Sequence, residues 1–183
     1  IDAANEAIKN SSIFLTQLEA PKEVVFYALK KAHQQGVTNI LNPAPAATID
    51  KDIFPIIDYF TPNETEASFY ANQPVESPED AKKAANKFLQ MGIKNIIITL
   101  GEKGAYFANN KESIIVPVAN LINPVVDTTG AGDAFNAGIA VALAEGKNIK
   151  ETLVFANTTA GLSTTKIGTA NSMPNRDEIE KSL

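Results

Sequence analysis

The sequence predicts an α/β fold, a parallel sheet with helices on both faces. Three observations predict it. Short apolar runs alternate with amphipathic stretches along most of the 183 residues. The richest run, Ile96-Ile97-Ile98, reads as a buried strand. Proline and glycine bracket the amphipathic stretches in the order helices favour, Pro21 before and Gly36 after, then Pro78 before and Gly92 after.

Taken in order, a helix starts at Ala3 with Asp2 as its cap. Ser12 to Leu18 reads as a strand and Pro21 to Gln35 as a helix. Val37 to Asn42 is the next strand, whose ladder Pro43-Ala44-Pro45 cannot continue. Tyr59 to Thr61 is a short strand before Pro62, and Asn63 to Ala71 a helix. Ser77-Pro78-Glu79-Asp80 starts a helix that stops at Gly92, and Ile93 to Leu100 is a strand. Ala105 to Ala108 and Ser113 to Val116 flank an Asn109-Asn110 turn. The final third is helical over Ala131 to Glu145, Ile149 to about Thr165 and a last piece after Pro174.

Composition narrows the class. With 44% hydrophobic and 20% charged residues the chain is an ordinary globular protein, and one domain is the default at this length. A net charge of −5 argues against nucleic acid or an anionic membrane as partner. No apolar run approaches a membrane span and no signal peptide is visible. The absence of cysteine excludes disulfides and thiolate metal sites and fits a cytoplasmic protein. The chain opens at Ile1, without Met and directly in a helical pattern, as part of a longer protein would.

The run Asp127-Thr128-Thr129-Gly130-Ala131-Gly132-Asp133-Ala134-Phe135 follows extended Val125-Val126 and leads into a helix. Backbone N–H groups at a helix start, with little side-chain bulk nearby, suit a phosphate or an anionic transition state. An acid in such a turn is a poor phosphate ligand, so Asp133 suits a general base for a hydroxyl attacking a phosphoryl group. The competing reading is a glycine-rich turn that only lets the helix pack closely on a strand. The run lacks the Gly-Lys-Ser/Thr ending of a Walker A loop and the third glycine of the dinucleotide fingerprint.

Ligands of open parallel sheets bind outside the carboxyl ends of the strands. Five such ends carry polar or turn-forming residues: Glu19, Asn42-Pro43, Asn63 with Glu66, Thr99-Leu100-Gly101, and Asp127 to Asp133. Gln17-Leu18-Glu19, Leu41-Asn42-Pro43-Ala44-Pro45-Ala46, Thr61-Pro62-Asn63-Glu64-Thr65-Glu66-Ala67 and Asp127 to Asp133 occur in the order found in ribokinases. The chain thus resembles the ribokinase-like (PfkB) sugar kinases from about Asp2 to Pro174. The Gly-Ala-Gly-Asp turn indicates the family, and the Asn-Pro-Ala-Pro-Ala and Pro-Asn-Glu-Thr-Glu-Ala runs point toward its ribokinases.

The resemblance implies a Rossmann-like three-layer α/β/α fold, incomplete because the amino-terminal strands and lid sheet have no counterpart here. Residues 1–183 would be the carboxyl-terminal, nucleotide-binding part of a single ribokinase-like domain. The implied activity is ATP-dependent phosphorylation of a sugar, the 5-hydroxyl of ribose for ribokinases. Asp133 resembles the catalytic base, and the backbone of Gly130, Ala131 and Gly132 the anion hole. ATP would meet Asn63, Thr99, Leu100, Gly101, Glu102, Lys103, Gly104, Gly132, Asp133 and, at the adenine, Asn157. Glu19 and Asp133 would meet the sugar.

Asn63 and Glu66 share a helix face, so Glu66 could hold water on Mg²⁺ while Asn63 reaches phosphate. A plain helix cap explains the same pair. The resemblance also implies a monovalent cation, usually K⁺, at Asp127, Thr129, Ser163, Lys166, Gly168 and Ser172. Its positive field would support the anion hole. Three positions depart from the family pattern: Lys166 stands where Arg is usual, Asn171 where Pro is usual, and Asn157 where His is frequent. Family dimers form through the lid. Two alternatives stay open, a nucleotide-binding fragment without catalysis and a PfkB kinase for another sugar or a nucleoside. His33, the lone histidine, suits a helix-end or surface role.

Overall fold

Alternating polarity and capped amphipathic runs become six strands and seven α-helices among the residues that the computed structural model describes, 1–120 and 123–183. Helix α1 is Asn5–Lys9 and strand β1 Ile13–Thr16; α2 is Lys22–Gln34 and β2 Thr38–Leu41. Strand β3, Tyr59–Phe60, leads to α3, Glu64–Ala71, and α4, Pro78–Gln90. Strands β4, Asn95–Thr99, β5, Ala105–Asn109, and β6, Ser113–Val116, complete the sheet. Helices α5, Ala131–Ala144, α6, Ile149–Ser163, and α7, Arg176–Glu180, close the chain. The sheet runs in the order β1-β2-β3-β4-β5-β6, and β1 to β4 pair in parallel.

The chain divides into two compact units, 1–101 with 106–115, and 102–105 with 116–183. In the first, Leu41, Phe60, Ile96 and Ile98 form one core with Phe26 and Leu29 of α2, Ala67 of α3 and Phe88 of α4. Alternation along a strand sends Ile97, also wholly buried, to the other face of the sheet. Phe60 stands edge-on to Phe88 and Tyr70 at ring separations of 5.5 and 5.4 Å, a favoured aromatic geometry. In the second unit α5 and α6 approach closely at Gly138, where an added Cβ would lie 2.8 Å from Ala156 Cα. Arg176 of α7 pairs with Glu145 and Glu180 and lies over the Phe155 ring, fixing α7 to the corner between α5 and α6.

Strands β1 to β4 fall a residue or two inside the expected limits, β5 runs one residue beyond its expected end at Ala108, and β6 matches. Two local expectations fail outright. Asp2 does not cap a helix: it opens a 3₁₀ turn, and its carboxylate accepts hydrogen bonds from Tyr27 and Lys31 of α2. Val125-Val126 does not form a sheet strand. The N–H groups of Val126 and Asp127 both donate to Thr164 O, at 2.7 and 3.1 Å, instead of entering a ladder. The Asn109 turn forms as expected, with Asn109 Oδ1 accepting the N–H groups of Lys111 and Glu112. His33 sits exposed in the last turn of α2.

Candidate active site

Because β1 to β4 are parallel, their carboxyl ends share one edge of the first unit. Side-chain amides stitch that edge together. Gln17 Nε2 donates to Asn42 Oδ1 at 2.9 Å, and Asn42 Nδ2 donates to Thr61 O at 2.9 Å, crossing the ends of three strands. Leu18 N–H donates to Ala44 O, so the segment carrying exposed Glu19 is tied to the Pro43–Pro45 turn. Asn42 is buried and appears in no expected ligand set; its position after β2 was the only sequence signal for this role.

Asn63 begins α3 beside the end of β4. A parallel bridge joins Asn63 to Thr99, and Thr99 N–H donates to Pro62 O at 3.1 Å. Asn63 and Glu66 form a reciprocal capping box. Asn63 Oδ1 accepts the Glu66 N–H, Glu66 Oε2 accepts the Asn63 N–H, and Asn63 Nδ2 reaches Glu66 Oε1 at 3.0 Å. The cap is therefore real, and both side chains begin from it. Burial raises the Glu66 pKa above its ordinary 4.5, opposed by the two Asn63 hydrogen bonds. Beyond β4, Leu100 is buried, Gly101 turns at φ +53°, and a 3₁₀ turn over Gly101–Lys103 follows.

In the second unit, Gly130 adopts a left-handed conformation, φ +78°, and starts α5 with no side-chain cap. Only glycine takes this conformation without strain. Ala131 N–H turns back to Thr128 O at 3.1 Å. Nothing lies within 4 Å of a Cβ built on Gly132, so the protein's own packing does not require glycine there. That openness leaves an approach to the helix start. Asp133 is exposed in the first turn of α5. One turn on, buried Asn136 donates to Gly132 O at 2.9 Å, a bracing residue absent from the expected site.

Asp127 ties this turn to the loop after α6. Its Oδ1 accepts the Thr129 N–H at 2.9 Å and its Oδ2 the Gly168 N–H at 3.0 Å. These hydrogen bonds, Gly168 foremost, lower its pKa to about 2. The Ser163 and Ser172 hydroxyls donate to Ala160 O and Thr169 O, and both residues are buried. Lys166 extends its ammonium to Glu178 at 2.8 Å, and since an ammonium has no lone pair, its carbonyl is the group that could ligate a cation. An ionised carboxylate among loop carbonyls and hydroxyls fits a large monovalent cation by donor chemistry. Among the described residues no three His, Cys, Asp or Glu side chains group as metal ligands.

Asn157 lies buried on α6, with its amide donating to Val116 O and Pro117 O. No helix among the described residues is long and apolar enough to cross a membrane.

Four parallel strands with polar turns at their carboxyl ends, and a glycine-led helix start carrying an acid, are features of open α/β folds. The chain belongs to the pfkB carbohydrate kinase family, whose model matches residues 3–176. It is 39% identical to ribokinase of Haemophilus influenzae over 171 residues, 93% of this chain and 55% of that protein. It superposes with a TM-score of 0.94 on Arabidopsis thaliana ribokinase complexed with ribose and ATP, at 35% identity, covering 99% of this chain and 58% of that one. For ribokinase of Thermotoga maritima the TM-score is 0.87 at 38% identity, with 98% and 59% covered. The fold is thus the ribokinase-like α/β fold, and the chain spans between half and three fifths of the length of these relatives.

Proposed function

We propose that this chain is the carboxyl-terminal, nucleotide-binding part of an ATP-dependent sugar kinase that phosphorylates ribose at its 5-hydroxyl. The observation that carries the reading is the start of α5, an uncapped left-handed Gly130 followed by open Gly132 and Asp133 in one turn. Asp133 accepts the proton of the attacking hydroxyl. The Gly130–Gly132 backbone meets the charge on the transferring phosphoryl group. Asn63, Thr99, Leu100, Gly101, Glu102, Lys103 and Gly104 line the nucleotide, with Glu66 holding water on its Mg²⁺. Glu19 accepts sugar hydroxyls. Asp127, Thr129, Ser163, Lys166, Gly168 and Ser172 would hold K⁺, which supplies positive field beside the anion hole when bound. The working protein is a cytoplasmic homodimer built through the lid.

A second reading follows from the share of the relatives covered. By itself this chain binds nucleotide without turnover, because water exclusion and closure need the remainder. Assaying ATP consumption with ribose, using this chain and a protein of its relatives' full length, decides both. Ribose-dependent turnover by the longer protein is expected. Its absence, with turnover on another sugar or nucleoside, would overturn the ribose assignment, and turnover by this chain would overturn the second reading.

A further inference from the structure

Asn157 is a buried amide in the middle of α6, and both hydrogens of its Nδ2 are spent on backbone. It donates to Val116 O at 3.1 Å and to Pro117 O at 2.9 Å. Two carbonyl oxygens fix which end of the amide faces them, since a flipped side chain would set oxygen against oxygen. The segment held this way presses on the turn after β4. A Cβ on Gly104, whose φ is +92°, would lie 2.1 Å from Val116 O and 2.7 Å from Pro117 Cα. Backbone cannot give way as a side-chain tip can, so the position of the 116–117 segment sets where Gly104 runs.

Resting on the nucleotide-binding reading above, we propose that Asn157 is a positioning residue that holds the Val116–Pro117 backbone against Gly104 and so shapes the wall meeting the nucleotide's phosphates. The resemblance had placed Asn157 at the adenine. A direct base ligand and a brace differ in what their loss removes. Losing a base ligand weakens binding of ATP alone, whereas losing a brace weakens every triphosphate alike.

The test is Asn157→Asp, which keeps the shape but sets carboxylate oxygens against the two carbonyls. Titration calorimetry below the melting temperature with MgATP, MgGTP and inorganic tripolyphosphate is expected to show about tenfold weaker binding for all three. In the longer kinase KM for ATP rises while kcat stays within about twofold. Asn157→Ser, which retains one donor, should give an intermediate loss. It also replaces the aspartate variant should that one not fold. A loss confined to ATP, or unchanged affinity in a folded variant, overturns the inference while leaving the nucleotide site intact. Failure of the unsubstituted chain to bind any triphosphate overturns the site and the inference together. Hydrogen exchange on the unsubstituted chain needs no variant: MgATP should protect 102–105 and 116–119 together, and protection of the first stretch alone counts against the brace.

Discussion

Asp127 accepts the Thr129 N–H through one carboxylate oxygen and the Gly168 N–H through the other, at 2.9 and 3.0 Å. One side chain thereby holds the approach to α5 and the loop after α6 in register. Its pKa, lowered to about 2 from 3.8, makes this grip pH-dependent. The folded state binds the Asp127 proton less readily than the unfolded chain. The stabilisation is therefore complete above pH 3.8 and is lost as pH falls toward 2. Thermal melts between pH 5 and pH 2.5 should show a larger drop in Tm for the unsubstituted protein than for Asp127→Asn. Parallel curves would dismiss the clamp.

Asp133→Asn in the full-length kinase should lower kcat by about 10²–10⁴-fold, the scale of general base catalysis, with a modest change in ATP affinity. Single-turnover kinetics with ribose measure it. A variant with unimpaired turnover would remove Asp133 from the chemistry.

Gly132 and Gly138 should separate stability from activity. Gly138→Ala drives a methyl against the Ala156 backbone, so denaturant unfolding should show a loss of about 1–3 kcal/mol. Gly132→Ala meets open space and gains helix propensity, up to about 1 kcal/mol, yet should cut turnover by crowding the anion hole. Full activity in Gly132→Ala would argue against phosphate approaching there.

The capping box makes a two-part prediction. Asn63→Ala should cost about 1 kcal/mol in urea unfolding. Glu66 has a raised pKa, so above its ordinary 4.5 the unfolded chain gives up its proton first, and the contribution of Glu66 to stability falls as pH rises through that window. Glu66→Gln should lack this decline in Tm between pH 4 and pH 7, and should need more Mg²⁺ for half-maximal turnover. An unchanged Mg²⁺ requirement would reduce Glu66 to a cap.

Replacing K⁺ by Na⁺ should lower activity. Because Lys166 could offer a cation only its backbone carbonyl, which alanine retains, Lys166→Ala should leave the K⁺ dependence in place. Indifference to K⁺ across a titration would count against the site.

Much of this molecule was legible in sequence. Pro21, Gly36, Ser77-Pro78 and Gly92 mark helix limits through backbone chemistry that tertiary context rarely overrides, and those helices lie where expected. The glycine-led start of α5 and the polar strand ends were readable for the same reason. What escaped depends on partners distant in sequence. Asp2 looks like a cap until Tyr27 and Lys31 approach it, and Val125-Val126 looks like a strand until Thr164 O takes two N–H groups. Asn42, Asn136 and the double donation of Asn157 are ordinary residues in a linear reading. Their roles exist only once a carbonyl lies within reach.

The relay from Gln17 through Asn42 to Thr61 has one further consequence. It joins three strand ends using amides and a backbone carbonyl, none of which gains or loses a proton in the working range of an enzyme. The relay across the ends of β1, β2 and β3 is therefore deaf to acidity. A pH profile of turnover will carry no contribution from this relay, and whatever it reports arises from ionisable groups elsewhere.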